Sequence, residues 1–345
     1  MTDFITHAQL RDWLAALGGT HTLIAPRQVT PELVVYQAVH SPDDIAFGFS
    51  RAALSPKEFF LPATEAILTV ERVRQLAAGD GSAQPDWEVR LAEPGMERDQ
   101  VVFGIRPCDA HALTALDALL LKDPADAYYA RRRERTALIG LACQQMGATC
   151  FCTSLGFTPD DRQGMDVMLV ATGDGYALDT LTDKGQAITA GLNPADYKGE
   201  PPAREWPPAE FKVPPRQVWT RLFKDPYWGE LADRCLSCKI CAYVCPTCRC
   251  FDVRDYTVAQ TPAYQKIERL RCWDACMADG YRRIAGGHNP RPDKLERLRN
   301  RFYCKFDYYP ADFGPLACVG CGRCIDHCPV NVDVTEVLDA VNARS

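Results

Sequence analysis

Six cysteines fall within sixteen residues at 235–250, CLSCKICAYVCPTCRC. The spacing Cys235-x2-Cys238-x2-Cys241-x3-Cys245-Pro246 recurs as Cys318-x2-Cys321-x2-Cys324-x3-Cys328-Pro329. Three thiolates at i, i+3 and i+6 can wrap one corner of an iron–sulfur cubane, with main-chain amides turned towards its sulfides. The fourth, just before a proline, points away and in two-cluster proteins serves the neighbouring cluster. The spacing therefore predicts one [4Fe–4S] cluster on Cys235, Cys238, Cys241 and Cys328. A second falls to Cys318, Cys321, Cys324 and Cys245. Zinc is the competing chemistry, since Cys245-x2-Cys248 fits half of a ribbon site. It does not explain two copies of the longer spacing. Two cubanes side by side, with no recognisable substrate motif, make a one-electron relay whose potentials are tuned by the surrounding amides and dielectric.

The chain has seventeen cysteines, so nine remain after these eight. Cys248, Cys250, Cys272 and Cys276 could bind another metal centre or line the first two clusters, and read most simply as small buried hydrophobes. The N-terminal four are more suggestive. Cys108 and Cys143 each end an expected strand, and Cys150 and Cys152 follow closely as TCFC. Adjacent strand ends can gather such groups, and four thiolates complete a cubane or a tetrahedral site. A third cluster, four structural thiols and zinc all stay open on spacing alone.

The elements that must position these residues change character along the chain. Up to about residue 200 the pattern is mixed α/β. A helix is expected at 6–17, stopping at Gly18-Gly19. Strands are expected at ELVVYQAV (32–39), WEVRL (87–91), VVFGIR (101–106), TALIGLA (136–142) and DVMLVAT (166–172), with a hairpin turn at Asp174-Gly175. HALTALDALLL supplies helical cover directly after a strand. PPAREWPPAEFKVPPRQVW (201–219) holds three Pro-Pro pairs and reads as a semi-rigid connector. Beyond it WDACMADGYRRIAGG, PDKLERLRNRFYCKF and VTEVLDAVNA have helix-forming composition. The two cysteine runs are separated by 72 residues, also expected to be helical. The fold class expected is α+β. It comprises an α/β domain over 1–200, a Pro-rich linker over 201–220 and a helical ferredoxin-like dicluster domain over 221–345.

Composition excludes several functions. A net charge of −6 disfavours a general binder of nucleic acid or anionic membrane. The opening MTDFITHAQLRDWLAAL reads as an amphipathic helix, and no apolar run reaches the roughly 18–20 residues of a membrane span. With clustered thiols kept reduced, this predicts a cytoplasmic protein without a membrane span. No Gly-x-Gly-x-x-Gly sits between a strand and a helix, no phosphate loop is present, and no catalytic residue is assigned. His111 and His288 could be metal or flavin contacts but read more simply as loop or capping residues, and His327 lies between two cluster ligands. The basic stretch RPDKLERLRNRFYCKF is either a solvated face, a docking surface, or positive charge set against anionic clusters. The RRRER run at 131–135 carries the same alternatives.

Seven segments together resemble a known family: FFLPATE (59–65), GIRPCDAHAL (104–113), TCFCTSLG (149–156), CLSCKICAYVCPTCRCFDVRD (235–255), WDACM (273–277), AGGHNPRP (285–292) and CVGCGRCIDHCP (318–329). The family is that of the dicluster iron–sulfur subunits. It is typified by the iron–sulfur relay subunit of anaerobic sulfite reductase and by the beta subunit of cytoplasmic NAD(P)-linked nickel–iron (sulf)hydrogenases. The resemblance implies an electron-transfer subunit, not itself catalytic. It would relay electrons between a flavin-containing NAD(P)H-linked subunit and a separate catalytic subunit, a nickel–iron hydrogenase first and a sulfite reductase second. A self-contained iron–sulfur/flavin oxidoreductase is the reading from a different class. Carried over by residue, the resemblance matches the eight ferredoxin-type cysteines to cluster ligands. It matches Cys108, Cys143, Cys150 and Cys152 to N-terminal cysteines of the family, which favours a third [4Fe–4S] cluster. Cys272 and Cys304 depart from the family pattern, with His expected in place of Cys304, and are left out as ligands.

Overall fold

A computed structural model describes residues 3–75, 87–197, 199 and 204–344. Residues 201–203 of the Pro-rich stretch and the expected boundary at 200 lie outside the described residues.

The fold is α+β, with two sheets. The larger has eight strands in the order β10-β1-β9-β8-β7-β6-β2-β3. These are β1 (Asp3–Thr6), β2 (Thr22–Thr30), β3 (Leu33–Ala38), β6 (Gln100–Ile105), β7 (Thr136–Leu141), β8 (Val167–Ala171), β9 (Gly175–Thr180) and β10 (Ala195–Asp196). Strands β2, β6, β7 and β8 run parallel, and the flanking pairs are antiparallel. Of the parallel strands, β6, β7 and β8 are buried along almost their whole length, as their continuous apolar runs VVF, LIGL and VMLV require. Helix α1 (His7–Thr20) is capped by a Thr6–Gln9 box and buries Leu10, Trp13, Leu14 and Leu17. It continues through Gly18-Gly19, because a glycine in a helix costs only about 1 kcal/mol and that apolar face outweighs it. Helices α2 (Pro107–Leu120) and α3 (Ala127–Glu134) connect β6 to β7. The hairpin at Asp174-Gly175 forms between β8 and β9. A Cβ at Gly175 would lie 2.2 Å from the Ile5 carbonyl, so β1 can approach only a glycine there.

The second sheet corrects the helical expectation between the cysteine runs. Its order is β11-β12-β4-β5, from β4 (Thr64–Arg74), β5 (Trp87–Ala92), β11 (Phe251–Gln260) and β12 (Tyr264–Trp273). Strand β12 pairs antiparallel with β4, so strands from either side of the Pro-rich stretch share one sheet. The Arg, Lys and Glu side chains that suggested helix lie on this hairpin, of which β11 is largely exposed and β12 half-buried. Buried Glu65 anchors it, taking Arg271 Nε at 2.6 Å and Arg132 at 2.6 Å. WDACMADGYRRIAGG, expected as helix, leaves β12 at Trp273 and continues through turns.

Helix α4 (Asp183–Thr189) follows β9 on the larger sheet. After the Pro-rich stretch come α5 (Arg216–Arg221), α6 (Tyr227–Arg234), α7 (Ile240–Tyr243), α8 (Lys294–Tyr303), α9 (Tyr309–Phe313), α10 (Arg323–Asp326) and α11 (Val334–Ala343). Here the helical expectation holds for 294–303 and 334–343. Helix α8 starts with a capping box, Asp293 with Glu296, and α11 with Asp333 accepting from Thr335. Trp219, Trp228, Phe302, Tyr303, Val337 and Leu338 make their common core. Full burial of each such side chain is worth about 1.5–3 kcal/mol. That core is the floor on which the cysteine runs lie. No described helix is long and apolar enough to cross a membrane.

Candidate iron–sulfur centres

The first run leaves the end of α6 at Cys235 and turns sharply before α7. Ser237 (φ 55°) and Lys239 (φ 69°) adopt the left-handed region that non-glycine residues rarely enter. The turn folds Cys235, Cys238 and Cys241 around one cavity, and Cys328 reaches it from the second run. These are the four that spacing grouped as one ligand set. Leu298, Phe302, Val332 and Val334 close its inner side. The amides of Ser237 and Val332 donate to Cys235 Sγ (3.4 Å) and Cys328 Sγ (3.1 Å), orienting sulfur for a thiolate role.

The second run repeats this backbone with glycines, Gly320 (φ 65°) and Gly322 (φ 72°), before α10. Cys318, Cys321, Cys324 and Cys245 line its cavity, again the predicted grouping. Cys324 lines both the first and the second cavity.

The N-terminal cysteines converge on a third cavity. Cys108 comes from the first turn of α2 beyond β6, and Cys143 lies just past β7. Cys150 and Cys152 come from the following loop. Two parallel strands thus deliver thiols at their carboxyl ends, where open α/β sheets place ligands. Gly320 and Cys321 form its far wall, so Cys321 borders the second and third cavities alike. Phe151 N–H donates to Gly320 O at 2.8 Å. A Cβ on Gly320 would lie 2.5 Å from Cys152 backbone, and one on Gly322 would lie 2.3 Å from Thr149 O. The TCFC loop can therefore seat only against glycines. Among the described residues no three His, Cys, Asp or Glu side chains converge as a single-ion site, and the cysteine sets surround open space instead.

Buried cations distinguish these cavities from ordinary core. Lys305, 4% exposed, donates to Cys245 Sγ at 3.1 Å and to Ala317 O at 2.9 Å. Lys57, 3% exposed, donates to Cys245 O (3.0 Å) and Cys248 O (2.9 Å) and lies 3.9 Å from the Trp273 ring centre. Arg301 lines both the first and second cavities, donates to Cys241 O at 3.2 Å and leaves Nη1 without a partner. Among the described residues none of these three forms an ion pair with a carboxylate. A lone buried charge costs several kcal/mol, and desolvation draws Lys57 down. Lys305 and Arg301 are instead held in their charged forms by the cysteine sulfurs around them, so these two call for buried negative charge nearby. Four thiolates around a cubane supply it, and the residues present fit that group. Arg323, fully buried, is the exception: it pairs bidentately with Asp109 at 2.6 and 2.8 Å, locking α10 to α2 between the second and third cavities.

The thiols respond to the same surroundings. Desolvation raises Cys318, Cys324, Cys108 and Cys143, takes Cys321 up to about 11 and takes Cys152 up to about 12. Cys245 is instead drawn down, by a hydrogen bond from Cys248 and, against its desolvation, by the charges of Lys305 and Arg301. Lys305 is held above the ordinary lysine range, the negative charge on Cys245 overcoming its desolvation.

The basic stretch at 291–306 thus splits. Arg301 and Lys305 point inward as counter-charge, while Arg297 pairs with Asp279 at 2.9 Å and Arg299 covers the Phe223 ring. The RRRER run is spent on ion pairs to Glu65, Asp117 and Asp99. His111 bonds Asp161 at 2.9 Å and His327 bonds Arg323 O at 2.9 Å, while His288 O accepts from Ile284 N–H. Sequence reasoning missed Lys57, Arg323 and Asp109. No periodicity marks them, though Arg323 sits between two ligands of the second run.

Residues 234–332 match the family model described as a 4Fe-4S dicluster domain. The chain is 32% identical over 318 residues to Sulfhydrogenase 2 subunit beta of Pyrococcus furiosus, covering 89% of this chain and 88% of the relative. No solved structure matches it.

Proposed function

The chain belongs to the family of dicluster iron–sulfur beta subunits represented by that sulfhydrogenase, and from that premise we propose that it is the electron-relay subunit of a soluble hydrogenase-type complex. The observation that supports this best is the contiguity of three cysteine-lined cavities, with Cys324 common to the first two and Cys321 to the last two. We assign [4Fe–4S] clusters to Cys235, Cys238, Cys241 and Cys328, and to Cys318, Cys321, Cys324 and Cys245. A third falls to Cys108, Cys143, Cys150 and Cys152. Bound there, such clusters supply one-electron exchange with little rearrangement. The residues of the chain do the rest. The glycines of the second run hold the TCFC loop against it, and Lys305 and Arg301 neutralise buried charge. The apolar walls exclude water and set the potential.

The partners are a flavin-containing NAD(P)H-linked subunit and a catalytic subunit bearing nickel. The α/β part, residues 1–200, presents the third centre, and 221–345 the other two. Purification of the tagged chain from its native host tests this. A stoichiometric complex containing nickel and flavin is expected, and siroheme in place of nickel would assign a sulfite reductase. One observation favours a self-contained oxidoreductase: a cleft of about 290 Å³ opens beside Arg106, Gln144 and Tyr176, next to the third cavity. Turnover of an artificial donor by the isolated chain would support that reading instead.

A further inference from the structure

The third cavity has cations of its own, and one of them reaches a thiol. Arg51 comes from the segment between β3 and β4 and lines this cavity together with Arg106. Its Nη1 lies 3.5 Å from Cys150 Sγ, within reach of a hydrogen bond to sulfur. Its Nη2 pairs with the Asp326 carboxylate, which also accepts from Thr149 Oγ1 at 2.7 Å. Asp326 ends α10, between Cys324 and Cys328. One guanidinium therefore spans from a thiol of the third cavity to a carboxylate of the second run.

Arg106 shows what kind of group the cavity takes. It is 4% exposed and, among the described residues, pairs with no carboxylate. Its Nη1 donates to Leu141 O and Ala142 O at 3.0 Å each and its Nη2 to Phe49 O, while Nε is buried without a partner. Carbonyl dipoles do not cancel a full charge, so a buried cation on this wall calls for an anion beside it. A thiolate-held cluster in the third cavity supplies one.

We propose that Arg51 and Asp326 set the reduction potential of the third centre, Arg51 raising it and Asp326 lowering it. The inference rests on the cluster assigned above to Cys108, Cys143, Cys150 and Cys152. Reduction adds one electron to that cluster, so the more negative state gains more from the Arg51 charge than the oxidised state does. The hydrogen bond to Cys150 Sγ acts in the same sense, because it draws charge off the ligating sulfur. Asp326 holds the guanidinium in place, and its own negative charge offsets part of that gain. The pair is partly open to water, with the Arg51 side chain 17% and that of Asp326 32% exposed, which screens it and keeps the expected shift small.

The test is an EPR-monitored redox titration of the anaerobically purified full chain and of Arg51→Gln, Arg51→Lys and Asp326→Asn, with iron per chain for each. The third cluster's signal is the one altered in Cys150→Ser. Arg51→Gln should weaken reduction of that cluster about threefold, a fall of roughly 30 mV at 59 mV per tenfold for one electron. Arg51→Lys should restore most of the loss. Asp326→Asn keeps an oxygen for Arg51 and Thr149 but removes the charge, and should raise the potential. Iron should match the parent chain in all three. The opposite signs separate an electrostatic role from a clamp between the TCFC loop and α10, which either substitution would loosen in the same way. Shifts of one sign, no shift in either variant, or equal loss of iron in Arg51→Gln and Arg51→Lys would overturn the proposal while leaving the third cluster standing. About eight irons in the parent chain would remove that cluster and the proposal with it.

Discussion

The two cysteine runs share one backbone and differ in what leans on it. Ser237 and Lys239 occupy the left-handed positions that Gly320 and Gly322 occupy in the second run. The first run is the more open of the two, with Cys238 and Leu236 exposed and Ser237 and Lys239 half-buried at the rim of the first cavity. The second is packed under the TCFC loop, where a Cβ would strike Cys152 or Thr149. A strained side chain is tolerated where there is room, and glycine is required where another loop must close over the turn. The second run is thus the junction of the relay, and the first its surface end.

Substitution at the junction should have the largest effect. Gly322→Ala combines a backbone clash with a left-handed φ, and a cost of at least about 3 kcal/mol is expected. The measurement is melting temperature with iron per chain, and iron should fall at the second and third sites while the first run keeps its own. Loss confined to the first run would break the comparison.

Next comes the counter-charge. Lys305→Met removes the only ammonium that donates to Cys245 Sγ among the described residues. A charge-assisted hydrogen bond is worth about 1.5–3 kcal/mol. If half of that favours the more negative, reduced state, the potential of one cluster should fall by roughly 30–60 mV, at 59 mV per tenfold for one electron. An EPR-monitored redox titration checks this, and Lys305→Arg should restore part of the shift.

A pH effect follows from the buried thiols. In the metal-free chain Cys321 is raised from 9.0 to about 11, so the unfolded state ionises first as pH rises. Stability is then fully present below about 9 and is lost as pH climbs towards 11. Denaturant midpoints of the metal-free chain between pH 8 and 11 should decline. The iron-loaded chain should run the other way, releasing metal on acidification, because bound thiolates must compete with protons.

The smallest effect belongs to the surface end. Ser237→Gly relieves a left-handed serine and should change stability by no more than about 1 kcal/mol, towards stabilisation, with iron unchanged. A loss comparable with that of Gly322→Ala would show that the two turns are equally constrained.

The two runs were legible because cluster ligation dictates residue type and spacing together. Three of the four parallel strands, β6, β7 and β8, were legible because burial on both faces forces continuous apolar runs such as VVF and VMLV. Strand β2, which carries Pro26 and is exposed from Arg27 onward, was not expected. The hairpin β11–β12 was not. Its partner β4 lies about two hundred residues away in the chain, and its charged, exposed side chains read equally well as helix. Nor could the sequence tell Arg301 and Lys305, which face the cavities, from Arg297, which pairs with Asp279, and Arg299, which covers Phe223. They share one basic helical stretch, and only the packing of α8 over the cavities separates them. The gathering of Cys108, Cys143, Cys150 and Cys152 depended on which strands lie adjacent, a fact of sheet order.

The central claim is three thiolate-held centres in a row, and iron and acid-labile sulfide per chain after anaerobic purification tests it most directly, with EPR of the dithionite-reduced sample. About twelve irons, with spin coupling between neighbouring clusters, is the predicted result. About eight, with Cys108, Cys143, Cys150 and Cys152 all open to alkylation after unfolding in chelator-free buffer, would contradict the third centre. Stoichiometric zinc with little iron would contradict the whole relay.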